Sequence, residues 1–452
     1  MSARRFHIET FGCQMNEHDS EKIAGLLAHR GMVWVADPRQ ADLFLINTCS
    51  VREKAAQKVY SRLGEFKRRK KKDPDFTIGV IGCVAQQEGE EMVRKAPFID
   101  LIVGTHMYHT LPDLLDDVAH KRRHSSDGSS VATQFLKDPV PVEMEVGPVR
   151  GSRFRANITI MEGCNKHCAF CIVPFTRGKE RNRPARQILD EARTVLADGF
   201  SEILLLGQTV NSYRNPDQPR YRFAHLLDEL AVLKGLRRLR FTSPHPREFS
   251  DHAVQVIGSH PTICNQVHLP VQSGSNPVLQ RMRRQYTRES FLHLVEKFRN
   301  CGREISLSTD MIVGFPGETE ANFEDTLSLV REVRFESMFS FKYSPRPYTE
   351  AVGWEDEIPE EEKTRRLMIL QRLQREIQLE IHHEKYAGRQ LEVLVEGPAR
   401  DGEHLCGRTT SNKVVNFSGS AEPGDYADVQ ITRVGPNSFL GEQLAEPAGV
   451  ER

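Results

Sequence analysis

Short apolar runs alternate with amphipathic stretches along the first 118 residues. Runs at 5–10, 43–47, 77–81 and 99–103 have the composition of strands, and the periodicity at 17–29, 52–69 and 87–95 predicts helices. Such alternation specifies an open, mostly parallel α/β sheet. After an aperiodic Ser-, Gly- and Pro-containing stretch the pattern resumes, with strands at 156–161, 202–206, 239–242, 266–269, 304–311 and 337–343. Helices are predicted between them at 186–198, 223–233, 252–257, 288–300 and 320–333. Six βα units predict a partial parallel barrel whose site lies at the carboxyl ends of its strands. A long charged helix, 360–384, leaves this unit. From 388 to 444 the pattern becomes short strands (391–396, 414–417, 426–433, 438–442) broken by Gly, Pro, Asn and Asp, as in small all-β barrels that bind oligonucleotides. The predicted plan is therefore an α/β domain at 4–120, a linker at 121–149, a barrel at 150–382 and a β domain at 385–448.

Composition narrows the class. The 452 residues are 38% hydrophobic and 27% charged, too long for one core and consistent with about three soluble domains. The first ten residues contain no apolar signal region and no run of about 18 apolar residues occurs, so the expectation is a cytoplasmic protein without membrane spans. The formal net charge is zero, which leaves nucleic-acid binding to local patches. Nine cysteines without an export signal point to metal or redox use of thiols.

Cys164, Cys168 and Cys171 form a CxxxCxxC cluster directly after the strand at 156–161. Three thiolates hold three corners of a 4Fe-4S cube and leave the fourth iron open for a substrate or cofactor. The alternative is a zinc site completed by His167, which lies inside the same loop. A second set is distributed: Cys13, Cys49 and Cys83 each follow the carboxyl end of a predicted strand, and in an open parallel sheet those ends share one crevice. They are either a second three-thiolate site or three unrelated buried cysteines. Cys264, Cys301 and Cys406 have no partner spacing and read as structural.

Met161-Glu-Gly-Cys-Asn-Lys-His-Cys-Ala-Phe-Cys-Ile-Val-Pro-Phe-Thr-Arg-Gly178, with Gly-Gln-Thr-Val-Asn-Ser-Tyr (207–213) and Gly-Phe-Pro-Gly-Glu-Thr (314–319), resembles the radical S-adenosylmethionine (SAM) superfamily. The Cys13, Cys49, Cys83 trio and the β tail, which resembles a TRAM domain, narrow the resemblance to the methylthiotransferases, in particular those acting on tRNA. The chain departs from that group at Thr209, Asn182, Tyr348 and Glu350, the last two replacing small residues after Arg346-Pro347.

The resemblance implies two 4Fe-4S clusters and SAM as cofactors. The cluster on Cys164, Cys168 and Cys171 would chelate SAM and split it to methionine and a 5'-deoxyadenosyl radical; the auxiliary one on Cys13, Cys49 and Cys83 would hold or donate sulfur. The implied reaction is methylthiolation at C2 of N6-isopentenyladenosine 37 in a tRNA anticodon stem-loop. Gln208 and Asn211 are the expected contacts to the methionine part of SAM, with Ser243, Gln272 and Asp310 as further candidates and Ile312 and Gly314 on the adenine side. A reducing partner such as flavodoxin or ferredoxin and a monomeric state complete the expectation.

RNA contacts are expected from Arg177, Arg181 and Arg183 beside the cluster loop and from Arg408, Lys413, Phe417 and Arg433 on the tail. For the arginines, internal salt links are the equal alternative; for the tail residues, an ordinary surface over an apolar core. The run Lys67–Lys72 reads as a solvated helix end. Two other readings share parts of this pattern: a methylthiotransferase acting on an aspartate of a ribosomal protein, and a non-catalytic Fe-S or zinc RNA-binding protein.

Overall fold

Six parallel strands form the N-terminal sheet of the computed structural model, which describes residues 4–50, 53–123, 129–136 and 147–445. They are β1 (Arg5–Phe11), β2 (Val33–Trp34), β3 (Leu43–Thr48), β4 (Thr77–Gly82), β5 (Leu101–Val103) and β6 (Ser130–Ala132), in the order β2-β1-β3-β4-β5-β6. Five helices connect them: α1 (Gln14–His29), α2 (Glu53–Lys72), α3 (Cys83–Glu88), α4 (Glu90–Lys95) and α5 (Leu111–Arg123). Ile23, Leu27 and Leu111 of α1 and α5 pack on one face, and Val59, Leu63, Val84 and Met92 of α2 to α4 on the other. Burial on both faces explains why β3 and β4 are apolar throughout. The strand order reverses between β1 and β3, and this switch point is where a crevice opens. β6 joins the sheet edge from within the stretch read as linker; residues 124–128 and 137–146 of that stretch lie outside the described residues.

The central unit contains β7 (Arg155–Thr159), a hairpin of β8 (Met161–Glu162) and β9 (Arg181–Asn182), then β10 (Glu202–Leu206), β11 (Arg238–Phe241), β12 (Gln266–His268), β13 (Ser306–Val313) and β14 (Ser337–Lys342). β7 and β10 to β14 run parallel in sequential order, with a bridge between Leu239 and Ile263 joining two three-stranded halves. This is the expected six-stranded partial barrel. Its helices are α6 (Val173–Arg177), α7 (Ala185–Ala197), α8 (Phe223–Ala231), α9 (Asp251–Ser259), α10 (Asn276–Arg281), α11 (Arg288–Arg299), α12 (Glu320–Val333) and α13 (Glu360–Tyr386). Ile203, Leu205, Val267, Leu307 and Met311 point outward into the core formed with these helices. The alternate residues, Leu204 and Leu206 on β10 and His268, Ser308 and Asp310 on β12 and β13, face the interior. Among the described residues no helix is long and apolar enough to cross a membrane.

The tail closes into a barrel, β15 (Gln390–Pro398), β16 (Leu405–Arg408), β17 (Val414–Ser418), β18 (Tyr426–Val434) and β19 (Phe439–Gln443), in the order β15-β16-β17-β19-β18. Its core holds Val393, Val395, Val415, Phe417 and Val429. Phe417 is fully buried there, so the expected stacking role is corrected: its ring fills the barrel. The turn between β16 and β17 docks on the amino-terminal end of the central barrel. Arg240 donates to the carbonyls of Thr409 (2.7 Å) and Thr410 (3.2 Å), and Arg238 to that of Arg408 (2.7 Å). Lys413 is corrected likewise: it is buried and ion-paired with Glu336 at 2.9 Å, because this turn is an interdomain contact.

Candidate active site

The contiguous cysteines occupy a loop clamped at its base by the β8–β9 hairpin, with Met161 opposite Asn182 and Glu162 opposite Arg181. Within it Cys164 N donates to Gly178 O (3.1 Å) and Cys171 N to Cys168 O (3.1 Å). Gly163 makes the turn at φ 75°, where a Cβ would collide with the Lys179 carbonyl. Its amide donates to the Gln208 side-chain oxygen, and the Thr209 hydroxyl lies 3.5 Å from Cys164 Sγ. Arg284, buried and 116 residues downstream, donates to Cys168 Sγ at 3.4 Å while its other nitrogens hold Pro270 O and the Tyr286 hydroxyl. Burial raises the Cys164 thiol and pushes that of Cys171 up to about 12, the neighbouring Cys168 and Cys164 adding to it.

The distributed cysteines converge at the switch point. Cys13 caps α1 after β1, Cys49 follows β3 and Cys83 opens α3 after β4. Gly82, at φ 92°, brings Cys83 in where a side chain would strike Asn47 Oδ1. Asn16 and Asn47 lock the crevice: Asn16 Nδ2 donates to Asn47 Oδ1 (2.9 Å), and Asn47 Nδ2 donates to Asn16 O (2.8 Å) and Ser20 Oγ (2.9 Å). A hydrogen bond from Cys49, aided by Arg177 and by the amides of Asn16 and Met15, holds the Cys13 thiol down to about 6 against burial. Cys83 is raised by burial, partly offset by the Arg177 guanidinium.

Arg177 ties the two sites together. It ends α6, six residues after Cys171, yet its side chain crosses to the N-terminal domain, pairs with Asp19 at 2.6 Å and reaches Cys83. Thr105 Oγ1 donates to Thr176 O (2.6 Å) and His106 Nε2 contacts Arg177 O (3.1 Å). Cys13 and Met15 pack on Leu204 and Leu206, so the N-terminal crevice faces the barrel interior.

The three arginines expected at RNA therefore have internal partners. Arg177 is a correction, being buried in the Asp19 pair. Arg181 pairs with Glu162 at 3.1 Å, and Arg183 with Glu191 at 2.8 Å and the Thr159 carbonyl at 2.7 Å, so both serve as salt links. Arg408 is part-exposed, with Glu396 at 3.3 Å and Asn412 at 3.3 Å, and Arg433 faces solvent. In the run 67–72, Lys70 pairs with Asp100 at 2.8 Å and Arg69 donates to Pro38 O and Ala41 O.

Of the SAM candidates, Gln208 adjoins the cysteine loop. Asn211 holds the next strand's loop, donating to His245 O (2.9 Å) and accepting from His245 N (2.8 Å), which leaves one amide hydrogen over. Ser243 (φ 54°) and Gln272 (φ 76°) hold left-handed backbones after β11 and β12, uncommon for residues with a Cβ. Asp310 pairs with His268 at 3.3 Å on the inner face, and Ile312 N donates to Gln272 O at 2.9 Å. The amides of Gly314 (2.5 Å) and Phe315 (3.1 Å) both donate to the buried Glu318 carboxylate, which fixes the Gly-Phe-Pro-Gly turn. Arg284, Asp19, Asn16 and Asn47 were absent from the sequence reading of the site, and Glu318 entered it only within the 314–319 motif. The two asparagines, three and two residues from a cysteine, carried a readable signal; Arg284 carried none. A cleft of about 410 Å³ runs beside β14, between Phe339, Phe341, Arg375 and Asn437, and no cysteine lines it.

At the distributed site the side chains suit an iron-sulfur cluster. The hydroxyls of Thr48 and Ser50 flank Cys49, buried and with no hydrogen-bond partner among the described residues, as donors awaiting an acceptor would be. Among the described residues no three of His, Cys, Asp and Glu are drawn together to hold a single ion, and His167 is exposed.

Family models match in the same three blocks: an uncharacterized protein family, UPF0004, over 5–104, the radical SAM superfamily over 158–330, and the TRAM domain over 384–444. A tRNA-2-methylthio-N(6)-dimethylallyladenosine synthase of Solibacter usitatus is 47% identical over 98% of this chain and 99% of its own length. The chain belongs to this family. Relatives of the same name from Koribacter versatilis (45% identical, 97% of this chain and 98% of theirs) and Geobacter metallireducens (44%, 96% and 97%) extend the match. Among solved structures, the radical SAM methyltransferase TsrM of Kitasatospora setae, with cobalamin and a 4Fe-4S cluster bound, shares the fold at 14% identity (TM-score 0.53, 78% of this chain and 77% of that one). Membership in the synthase family makes the chain a radical SAM transferase.

Proposed function

We propose that this chain methylthiolates C2 of N6-isopentenyladenosine at position 37 of tRNA. The observation that carries the reading is the pair of three-cysteine sites brought against one barrel chamber and tied by Arg177. Cys164, Cys168 and Cys171 would hold the SAM-binding cluster, and Cys13, Cys49 and Cys83 the auxiliary one. When bound, the two clusters and two molecules of SAM supply reductive SAM cleavage and the sulfur that is methylated and inserted.

The chain's own residues do the rest. Arg284 and Arg177 place one cation against a sulfur of each site, where burial makes their charge count for more than in water. Gln208 holds the cysteine loop and offers its remaining amide hydrogens to the carboxylate of SAM. Asn211 positions the His245 loop and keeps one amide hydrogen for the methionine part of SAM. Ser243, Gln272 and Asp310 are the further candidate contacts to SAM, with Ile312 and Gly314 on its adenine side. The N-terminal domain covers the carboxyl end of the barrel and the 409–413 turn covers the amino end, which excludes water and stray hydrogen donors. The target base must leave its stack to reach this chamber, at a cost of about a few kcal/mol that is lowest in an anticodon loop.

Family membership favours RNA over a ribosomal-protein aspartate as the substrate. The protein works as a cytoplasmic monomer with flavodoxin or ferredoxin as reductant. The test is anaerobic incubation with SAM, reductant and an isopentenylated anticodon stem-loop, followed by nucleoside mass spectrometry. A 2-methylthio nucleoside is expected; its absence with cluster-loaded protein would contradict the reading.

A further inference from the structure

Six aromatic side chains stand exposed among the described residues, and only Trp34 lies away from the central site: Phe339 and Phe341 are on β14, while Phe135, Phe175 and Tyr348 surround α6. Phe135 packs edge-on to His106 at 4.8 Å beside Gly178, and Phe175 is part of α6 itself. Tyr348 comes from the loop after β14. It is 63% exposed, its ring lies 6.0 Å from that of Phe175, and its hydroxyl donates to Gln87 O at 3.3 Å. Gln87 belongs to α3, which Cys83 opens, and α6 follows Cys171. The Phe175–Tyr348 pair therefore stands over the junction of the two cysteine sites.

The backbone of Tyr348 is unfavourable for its residue type. Its φ is +67°, in a turn with Pro347 before it and Thr349 N bonded to Arg346 O at 3.4 Å, the position of a type II turn that glycine fills at least cost. A bulky aromatic there is a true outlier, and such residues gather at functional sites. Here the outlier carries no buried packing that would compensate. Lys179 is exposed four residues beyond Phe175, and the nearby carboxylate of Glu350 is already paired with Arg283 at 2.6 Å.

We propose that Phe175 and Tyr348 form a stacking platform for an unpaired base of the substrate RNA that flanks the base entering the barrel. Exposed ring faces are the equipment of single-strand binding, because every base has a π face to stack. The proposal rests on the RNA-modifying reading above.

The test uses cluster-loaded full-length protein and an anticodon stem-loop carrying 2-aminopurine beside the target position. Tyr348→Gly removes the ring and relieves the backbone; Tyr348→Phe keeps the ring and loses only the hydroxyl. Tyr348→Gly is expected to melt at a higher temperature yet bind RNA about tenfold more weakly, with the loss in KM rather than kcat and with 2-aminopurine quenching lost. Tyr348→Phe is expected to restore both. Tyr348→Gly binding RNA as tightly as wild type would overturn the platform. A change of oligomeric state with RNA affinity intact would assign the pair to self-association and also overturn it. If wild-type protein modifies RNA while the glycine variant binds equally well, only the platform falls; if wild type neither binds nor modifies RNA, the parent reading falls with it.

Discussion

The two three-cysteine sites reach similar inventories by opposite routes. The contiguous site is one loop, its three sulfurs supplied by eight residues and its geometry set by the hairpin and Gly163 at its base. The distributed site exists only once three strands have paired, and the Asn16–Asn47 network holds it in register. Their bare electrostatics differ accordingly. Burial and the neighbouring Cys168 push Cys171 up against the Val173 amide, whereas Cys49, Arg177 and two backbone amides pull Cys13 down. Each site also borrows an arginine from afar, and Arg177 rides on the loop of one site while serving the other. A local motif thus supplies ligands, while tertiary structure supplies their charge environment and couples the two sites.

Several substitutions would break or sharpen this contrast. Cys164→Ala should have the largest effect, abolishing SAM cleavage and product together and lowering iron from about eight to about four per chain, measured by iron assay and chromatography. Arg177→Met should follow, costing roughly 3–5 kcal/mol in urea unfolding because Asp19 is left buried without its cation. The associated iron loss should fall on the distributed site, which separates the service Arg177 performs from the loop that carries it.

A control lies outside both sites. Burial disfavours the charge on Glu336, but Lys413 and Lys385 outweigh it and hold the carboxyl down to about 2. Its folded value is thus below the ordinary ~4.3 of the unfolded chain, so its contribution is full above that value and is lost as pH falls through the folded one. About 3 kcal/mol of stability should disappear between pH ~4.3 and ~2, and Glu336→Gln should remove that acid dependence. The smallest change is expected from Asn47→Ala, at about 1–3 kcal/mol for the buried polar groups it leaves unpaired, read by thermal unfolding and by lower iron retention at the distributed site alone.

Much of this was legible in the sequence because periodicity and strand-end position are local properties. The six-stranded barrel, the β tail and the convergence of Cys13, Cys49 and Cys83 all follow from them. β2 and β6, of two and three residues, are too short to register a period. Residue type misled where it was set against pattern: alternation along β17 puts Phe417 on the same face as Val415, inside the barrel, although an aromatic on an oligonucleotide-binding barrel invites a stacking role. Arg177 looked like part of a basic patch because its carboxylate partner, Asp19, is 158 residues away in sequence. Arg284 was invisible for the same reason.

The central claim is that the two sites do different work on one reaction. It is tested most directly by the triple variant Cys13→Ala, Cys49→Ala, Cys83→Ala, assayed anaerobically for iron, 5'-deoxyadenosine and methylthiolated nucleoside. About four irons per chain are expected, with SAM cleavage retained and methylthiolation lost. Retained methylthiolation, or SAM cleavage lost from protein that keeps its four irons, would contradict it.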